Sequence, residues 1–203
     1  MMDYGESMNT NYLFHAARQK MLFIYFSISF FLMGGCAPAM YDASFKGKVI
    51  DEDTNKPIEG AVALAIWTTW MMTPAGDTTE YYDISETVTD NNGEFYIHGK
   101  GPKAVTNLNP MQITVLKAGY MESMGTVKSY SQYPKTQDGK TIISLQKLTP
   151  KQKKMRGTGP ASPPDEAPIE KVSNFMRELN KDRVERGLTP IKQWEGVEHD
   201  KNN

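Results

Sequence analysis

The chain has 203 residues, a formal net charge of −1 and a pI near 6.3, so it carries no basic field that would recruit nucleic acid. Hydrophobic residues are 39% and charged residues 23% of the chain, somewhat low for a compact domain, and the length predicts one domain of roughly 100–150 residues with extended tails. There is one cysteine, Cys36, which excludes an intrachain disulfide.

Residues 1–36 read as a delivery segment. Arg18 and Lys20 precede the apolar run Met21 to Met33, and no charge occurs between Lys20 and Asp42. A short basic region, an apolar region and small residues at its end make a secretory signal. The run is shorter than the ~20 residues that span a bilayer comfortably; a single membrane helix with an incidental cysteine is the competing reading. The end, Leu32-Met-Gly-Gly-Cys36, resembles the lipobox of bacterial lipoproteins. That resemblance implies a diacylglyceryl group on the Cys36 thiol, cleavage between Gly35 and Cys36, and a membrane as partner through the lipid. Met33 holds the place where leucine is usual. Ala37 follows the cysteine instead of Asp, which by the same resemblance implies the outer membrane of a Gram-negative bacterium. The polar stretch Met1 to Gln19 leaves Met8 open as the start.

Residues 37–43 read as a tether, and 44–148 as one all-β module. Phe45, Gly47 and Val49 alternate on one face. Asp53-Thr-Asn-Lys56 is a turn of residues that bond their own backbone. Ala61 to Thr69 is apolar on both faces, with Ala61, Ala63, Ala65 and Trp67 on one side and Val62, Leu64 and Ile66 on the other, which predicts cover on both sides. Met71 to Tyr82 interrupts the pattern with Pro74, Ala75, Gly76 and Asp77 and is expected to be a loop. Asn92-Gly93 is a strong signal for a type I′ hairpin, followed by Phe95 and Ile97 on a common face. Met111, Ile113 and Val115 alternate in the next strand, and Ile143 and Leu145 mark the last. Short strands divided by Gly, Pro, Asn and Asp predict a β-sandwich.

The elements Gly47-Lys-Val-Ile-Asp51, Lys56-Pro-Ile-Glu-Gly-Ala61, Thr89-Asp-Asn-Asn-Gly-Glu-Phe95, Gly119-Tyr120 and Ile143-Ser-Leu145, in this order, resemble the carboxypeptidase regulatory-like domain. The resemblance implies a Greek-key, transthyretin-like β-sandwich that is not itself catalytic, and brings no catalytic residues with it. Trp67, Trp70, Met71 and Met72 depart from the family pattern, which is less aromatic at this strand end.

Residues 149–167 carry Lys151, Lys153, Lys154 and Arg156 and then Gly-Thr-Gly-Pro-Ala-Ser-Pro-Pro, and are expected to be an unstructured linker. Residues 168–187 read as an amphipathic helix. Proline suits its first turn, Ile169, Val172, Met176 and Leu179 follow helical spacing, and Gly187 stops it. Its apolar stripe needs a cover, either the second face of the Ala61 to Thr69 strand, which is favoured, or a partner. Residues 188–203 read as a flexible tail.

Chemistry-bearing clusters do not emerge. The histidines, His15, His98 and His199, are far apart in the chain and lack metal-ligand spacing. Asp90-Asn-Asn-Gly93 places its glycine at the fourth position, where a calcium loop needs it at the sixth. No nucleophile elbow or phosphate loop occurs. The expectation is therefore a protein that is not an enzyme and uses no cofactor. The binding candidates are aromatic: Trp70, Tyr81 and Tyr82 foremost, with Trp67, Tyr130 and Tyr133. Their flat faces suit an envelope protein or a glycan, against the plainer reading of Trp67 as core and the tyrosines as rim.

Overall fold

The computed structural model describes residues 18–22, 24, 40–103, 107–155 and 162–191. Gly35, Cys36 and the cleavage site lie outside the described residues, as does the tail beyond Ile191. Residues up to 39 and residues from 40 onward form separate units, and the sandwich belongs to the second. Among the described residues no helix is long and apolar enough to cross a membrane.

In chain order the elements are β1 (Met40–Asp42), β2 (Phe45–Asp51), β3 (Val62–Thr73), β4 (Gly76–Val88), β5 (Glu94–Ile97), β6 (Gly101–Lys103), β7 (Gln112–Leu116), β8 (Ser123–Thr126), α1 (Val127–Tyr130), β9 (Thr141–Leu145), α2 (Pro150–Met155), a 3-10 turn (Ile169–Lys171) and α3 (Ser173–Glu185). One sheet has the order β5-β2-β9 and the other β4-β3-β7-β8, while β1 and β6 form a pair of their own. The β2–β9 pairing is parallel, with Val49 opposite Ile143. The two sheets face each other and make an all-β sandwich.

The core follows from the alternation. Phe45, Val49, Phe95, Ile97, Ile143 and Leu145 of the three-stranded sheet meet Ala63, Ala65, Trp67, Ile113 and Val115 of the other. Gly47 is required here because it stands opposite Phe95, and a Cβ at that position would fall 2.3 Å from the Phe95 ring. Tyr130 on α1 plugs one end of the core. Its ring centroid is 5.8 Å from that of Phe45, its hydroxyl shares a 2.9 Å hydrogen bond with Ser123, and burial pushes its pKa up to about 12.

The turns at the opposite end are held by side chains. Asp51 Oδ1 accepts from the Thr54 amide and hydroxyl, both at 2.8 Å, and Oδ2 accepts from the Tyr120 hydroxyl at 3.0 Å. These bonds, the Thr54 amide first, lower the Asp51 pKa. The buried Thr89 hydroxyl donates to the Ile58 carbonyl at 2.7 Å and accepts from the Ala61 amide at 2.8 Å.

The outer face of β3 is covered by the C-terminal helix. Val62, Leu64, Ile84 and Leu116 pack against Val172, Phe175, Met176 and Leu179, the cover the doubly apolar strand calls for. Polar contacts fix both ends of α3. The helix has no side-chain cap of its own; instead Glu86 on β4 accepts from the Asn174 and Phe175 amides at 2.9 and 2.7 Å, meeting the exposed N–H groups and the positive end of the dipole. Further along, Glu178 and Asp182 accept from the Ala118 and Gly119 amides at 2.9 and 3.3 Å. Asp182 and Arg186 form a buried ion pair at 3.0 Å. Gly187, with φ 75°, ends the helix, and the Leu188 amide donates back to the Arg183 carbonyl at 2.8 Å.

Five expectations differ from the structure. Met71 to Tyr82 is not a loop: β3 and β4 continue as a paired ribbon to Thr73 and Gly76, because only Pro74 and Ala75 are needed for the turn and the flanking Thr, Met and Tyr residues suit strands. Asn92-Gly93 does not close a type I′ hairpin. Gly93 has φ 73° but Asn92 does not have positive φ, and the turn links β4 in one sheet to β5 in the other. The Asp90 carboxylate arranges it, accepting from the Asn92 and Glu94 amides. The stretch from 149 opens on helix α2, because Thr149 and Gln152 form a reciprocal cap at its start ahead of the Lys-rich run. At the other end of the module the expected tether is not wholly free, since Met40 to Asp42 pair with Gly101 to Lys103. The final tail likewise begins folded: the Ile191 amide donates to Asn180 Oδ1 at 2.9 Å, and Ile191 packs on the outer cluster.

Candidate interaction surface

The aromatic candidates divide along the β3–β4 ribbon. At its base, Trp67 is fully buried. Its indole N–H donates to Asp42 Oδ2 at 2.7 Å, and Lys100 Nζ stands 4.4 Å from its ring centroid. The Lys100 ammonium also pairs with Asp83, the residue opposite Trp67 on β4. Lys171, from the turn before α3, reaches the other Asp83 oxygen at 2.7 Å. Burial works against ionisation of Asp83, but the hydrogen bonds from Lys100, Lys171 and the Ile84 amide outweigh it and hold its pKa at about 2. Trp67 is thus a structural keystone between β1 and the sandwich and is withdrawn from the binding surface. Tyr130 is withdrawn as well, being part of the core.

A register shift follows directly. Trp67 pairs with Asp83 but Thr68 pairs with Tyr81, so Tyr82 is the extra residue of a β-bulge, which bends the ribbon and re-aims its side chains. Tyr81 faces the helix side and packs against the outer cluster; burial first, and then the Asp83 charge, raise its pKa. Trp70 lies two residues beyond Thr68 and so shares that face with Tyr81. Trp70 and Tyr82 are each 42% exposed. The structure therefore brings Trp70 and Tyr81 to one face, while Tyr82 has no pairing partner on β3.

Beyond the base the ribbon is bare. The backbone of Trp70 is held by Asn107, whose carbonyl accepts from the Trp70 amide at 2.9 Å and whose side chain donates to the Trp70 carbonyl at 2.7 Å. Past that point only β4 pairs with β3. Met71 and Met72 are exposed, Met72 at 78%. The two methionines belong to the surface, although the sequence marks them only as a departure from a family pattern. The Asp83, Lys100 and Lys171 cluster at the base gives no sequence signal, since its members lie in three separate elements.

Among the described residues no group of three or more His, Cys, Asp or Glu side chains could hold a metal ion. His98 stacks edge-on to Tyr96 with centroids 4.5 Å apart on the outer face of the three-stranded sheet. A cleft between α2 and the end of α3 is lined by Leu148, Pro150, Lys153, Lys154, Glu185 and Arg186. Within it Lys153 is already paired with Glu185 at 2.6 Å.

No family model matches the chain, and no curated protein matches it. Among solved structures it is similar to a 3-chlorocatechol 1,2-dioxygenase from Rhodococcus opacus 1CP, with 15% identity and a TM-score of 0.31 over 56% of this chain and 63% of that one. It is also similar to a 9R-lipoxygenase from Cyanothece PCC8801, with 16% identity and a TM-score of 0.25 over 71% of this chain and 23% of that one. The chain spans less than two thirds of either protein's length, and likeness at this level assigns neither a family nor an activity.

Proposed function

We propose that this protein is a non-catalytic lipoprotein of the cell envelope, held by acyl chains on Cys36, that displays a Greek-key, transthyretin-like sandwich of the carboxypeptidase regulatory-like type as an interaction module. The observation that carries the reading is the division of labour along the β3–β4 ribbon. Its base is locked into the sandwich by Trp67, Asp83 and Lys100, while its far half exposes Trp70, Met71 and Met72. A run of consecutive large apolar side chains exposed on an ordered strand, unlike a single one, is the kind of patch that serves as a contact surface. The motif residues support the module reading because they do structural work. Gly47 makes room for Phe95, Gly93 approaches the Val49 carbonyl so closely that a Cβ would fall 2.4 Å from it, and Tyr120 ties down the Asp51 turn.

The envelope reading is tested by Cys36→Ser. The substitution abolishes labelling by a palmitate analogue and releases the protein from membranes; unchanged labelling sinks the reading. The surface is tested by crosslinking in the native envelope, where Trp70→Ala loses the captured partner and a variant at the opposite end of the sandwich, Asn91→Ala, keeps it. The second reading, a glycan-binding module, draws on the shared face of Trp70 and Tyr81. It requires glycan-array binding that Trp70→Ala removes, and a folded domain that binds no glycan eliminates it.

A further inference from the structure

The chain enters the sandwich at the same end from which the ribbon leaves it. Asp42, on β1, accepts hydrogen bonds from the Trp67 indole and the Lys100 amide, both at 2.7 Å, and β3 runs outward from Trp67 to Thr73. The Asp51, Ile58 and Thr89 turns sit at the other end of the same strands. From Trp67 to Met72 the strand extends about 16 Å at strand rise. From Cys36 to Asp42, which bonds to Trp67, the backbone spans at most about 20 Å. A lipid on Cys36 therefore leaves the ribbon tip within reach of the bilayer.

The chemistry of the ribbon suits that place. Thr68 to Gly76 contains no charged residue. It offers a tryptophan, two methionines, threonines and a proline, a set that belongs at a membrane–water interface, where an amphipathic indole is favoured. The acids Asp77 and Glu80 lie on the returning strand, opposite Met72 and Thr69. They limit the contact to the headgroup layer and oppose any attraction to anionic lipid. We propose that the ribbon tip, Trp70 to Thr73, lies in the headgroup region of the membrane that carries the Cys36 lipid. It forms a second, protein-made contact that sets the orientation of the sandwich on that surface. The inference rests on the lipoprotein reading: the acyl chains on Cys36 supply the attachment, and the apolar tip adds orientation to it.

The test uses the mature, lipidated full chain in phosphatidylethanolamine/phosphatidylglycerol vesicles. Met72→Cys supplies one free thiol for an environment-sensitive fluorophore, and Asn91→Cys labels the opposite end as a control. The expected result is a blue-shifted emission at position 72 that lipids brominated near the headgroup quench, that persists in high salt, and that is absent at position 91. A second variant, Trp70→Ser/Met71→Ser on the Met72→Cys background, loses the shift while the protein stays vesicle-bound through its lipid. Intact mass showing acyl chains on Cys36, together with unquenched emission at position 72, overturns the inference and leaves the lipoprotein reading standing. A blue shift found only in native envelopes and never in lipid vesicles overturns it in favour of a protein partner. An intact mass without acyl chains sinks both.

Discussion

Strand β3 contains two environments within twelve residues. From Val62 to Trp67 every side chain is covered, with Ala63, Ala65 and Trp67 in the inter-sheet core and Val62, Leu64 and Ile66 under the C-terminal helix. From Trp70 to Met72 the same strand, paired with the same neighbour, is exposed on both faces. Pairing with β4 resumes past the Tyr82 bulge and runs on to Thr73, so loss of strand pairing does not separate the halves. What separates them is the supply of neighbours: β7 ends its pairing at Ile66, α3 does not extend past the base, and the Tyr82 bulge bends the remainder away. An apolar strand half inside and half outside a core is stable because the inner half alone is enough to fix it, which leaves the outer half free to be used for contact.

Substitutions that strip the covered half should have the largest effect. Phe175→Ala removes a fully buried ring from the outer cluster and is expected to cost about 3–5 kcal/mol, cavity included, measured by urea denaturation of the domain. A loss below about 1 kcal/mol would show that the helix does not cover β3 in solution. Next is Glu86→Ala, which leaves the Asn174 and Phe175 amides without their acceptor. An expected cost of about 1–2 kcal/mol comes with faster amide exchange confined to the first turn of α3; uniform exchange along the helix would reject the capping role.

A smaller effect concerns pH. The Asp83 pKa is held at about 2, against 3.8 ordinarily, so its pairing stabilises the fold above the unfolded value and is lost as pH falls from about 4 toward 2. With its side chain 21% exposed, the contribution is at most about 2 kcal/mol. Asp83→Asn should flatten the acid limb of the stability–pH curve in that window, leaving the part due to Asp51 and Asp138, whose pKa values are also lowered. An unchanged acid limb would mean that the lysines do not hold Asp83 in solution. The smallest effect belongs to the exposed half. Met72→Ser should change stability by less than about 0.5 kcal/mol while removing the surface contact, and a large stability loss there would erase the distinction between the halves.

The covered half was legible from sequence because an unbroken apolar run reports burial on both faces, and Val62, Leu64 and Ile66 called for a second cover. The helix was legible from its spacing and from Gly187. The exposed half was misread as a loop, since Pro74 and Gly76 draw attention to a turn whose flanks are strands. The base of the ribbon was invisible. Asp42, Asp83, Lys100 and Lys171 are each unremarkable as surface charges, and only tertiary structure brings them to Trp67. The same holds for Glu86, which reads as one more polar strand residue until the start of α3 arrives beside it. Long-range polar pairing leaves no periodic trace, whereas apolar burial does.

The parallel pairing of β2 with β9 bears on how the chain reaches this state. Val49 and Ile143, or Glu86 and Phe175, must find each other across most of the domain, and closing such long loops is entropically slow. The inter-sheet core and the cover of β3 are therefore incomplete while the C-terminal third is missing. A chain without β9 and α3 leaves one edge of β2 and the outer face of β3 uncovered, so these two contacts complete the fold.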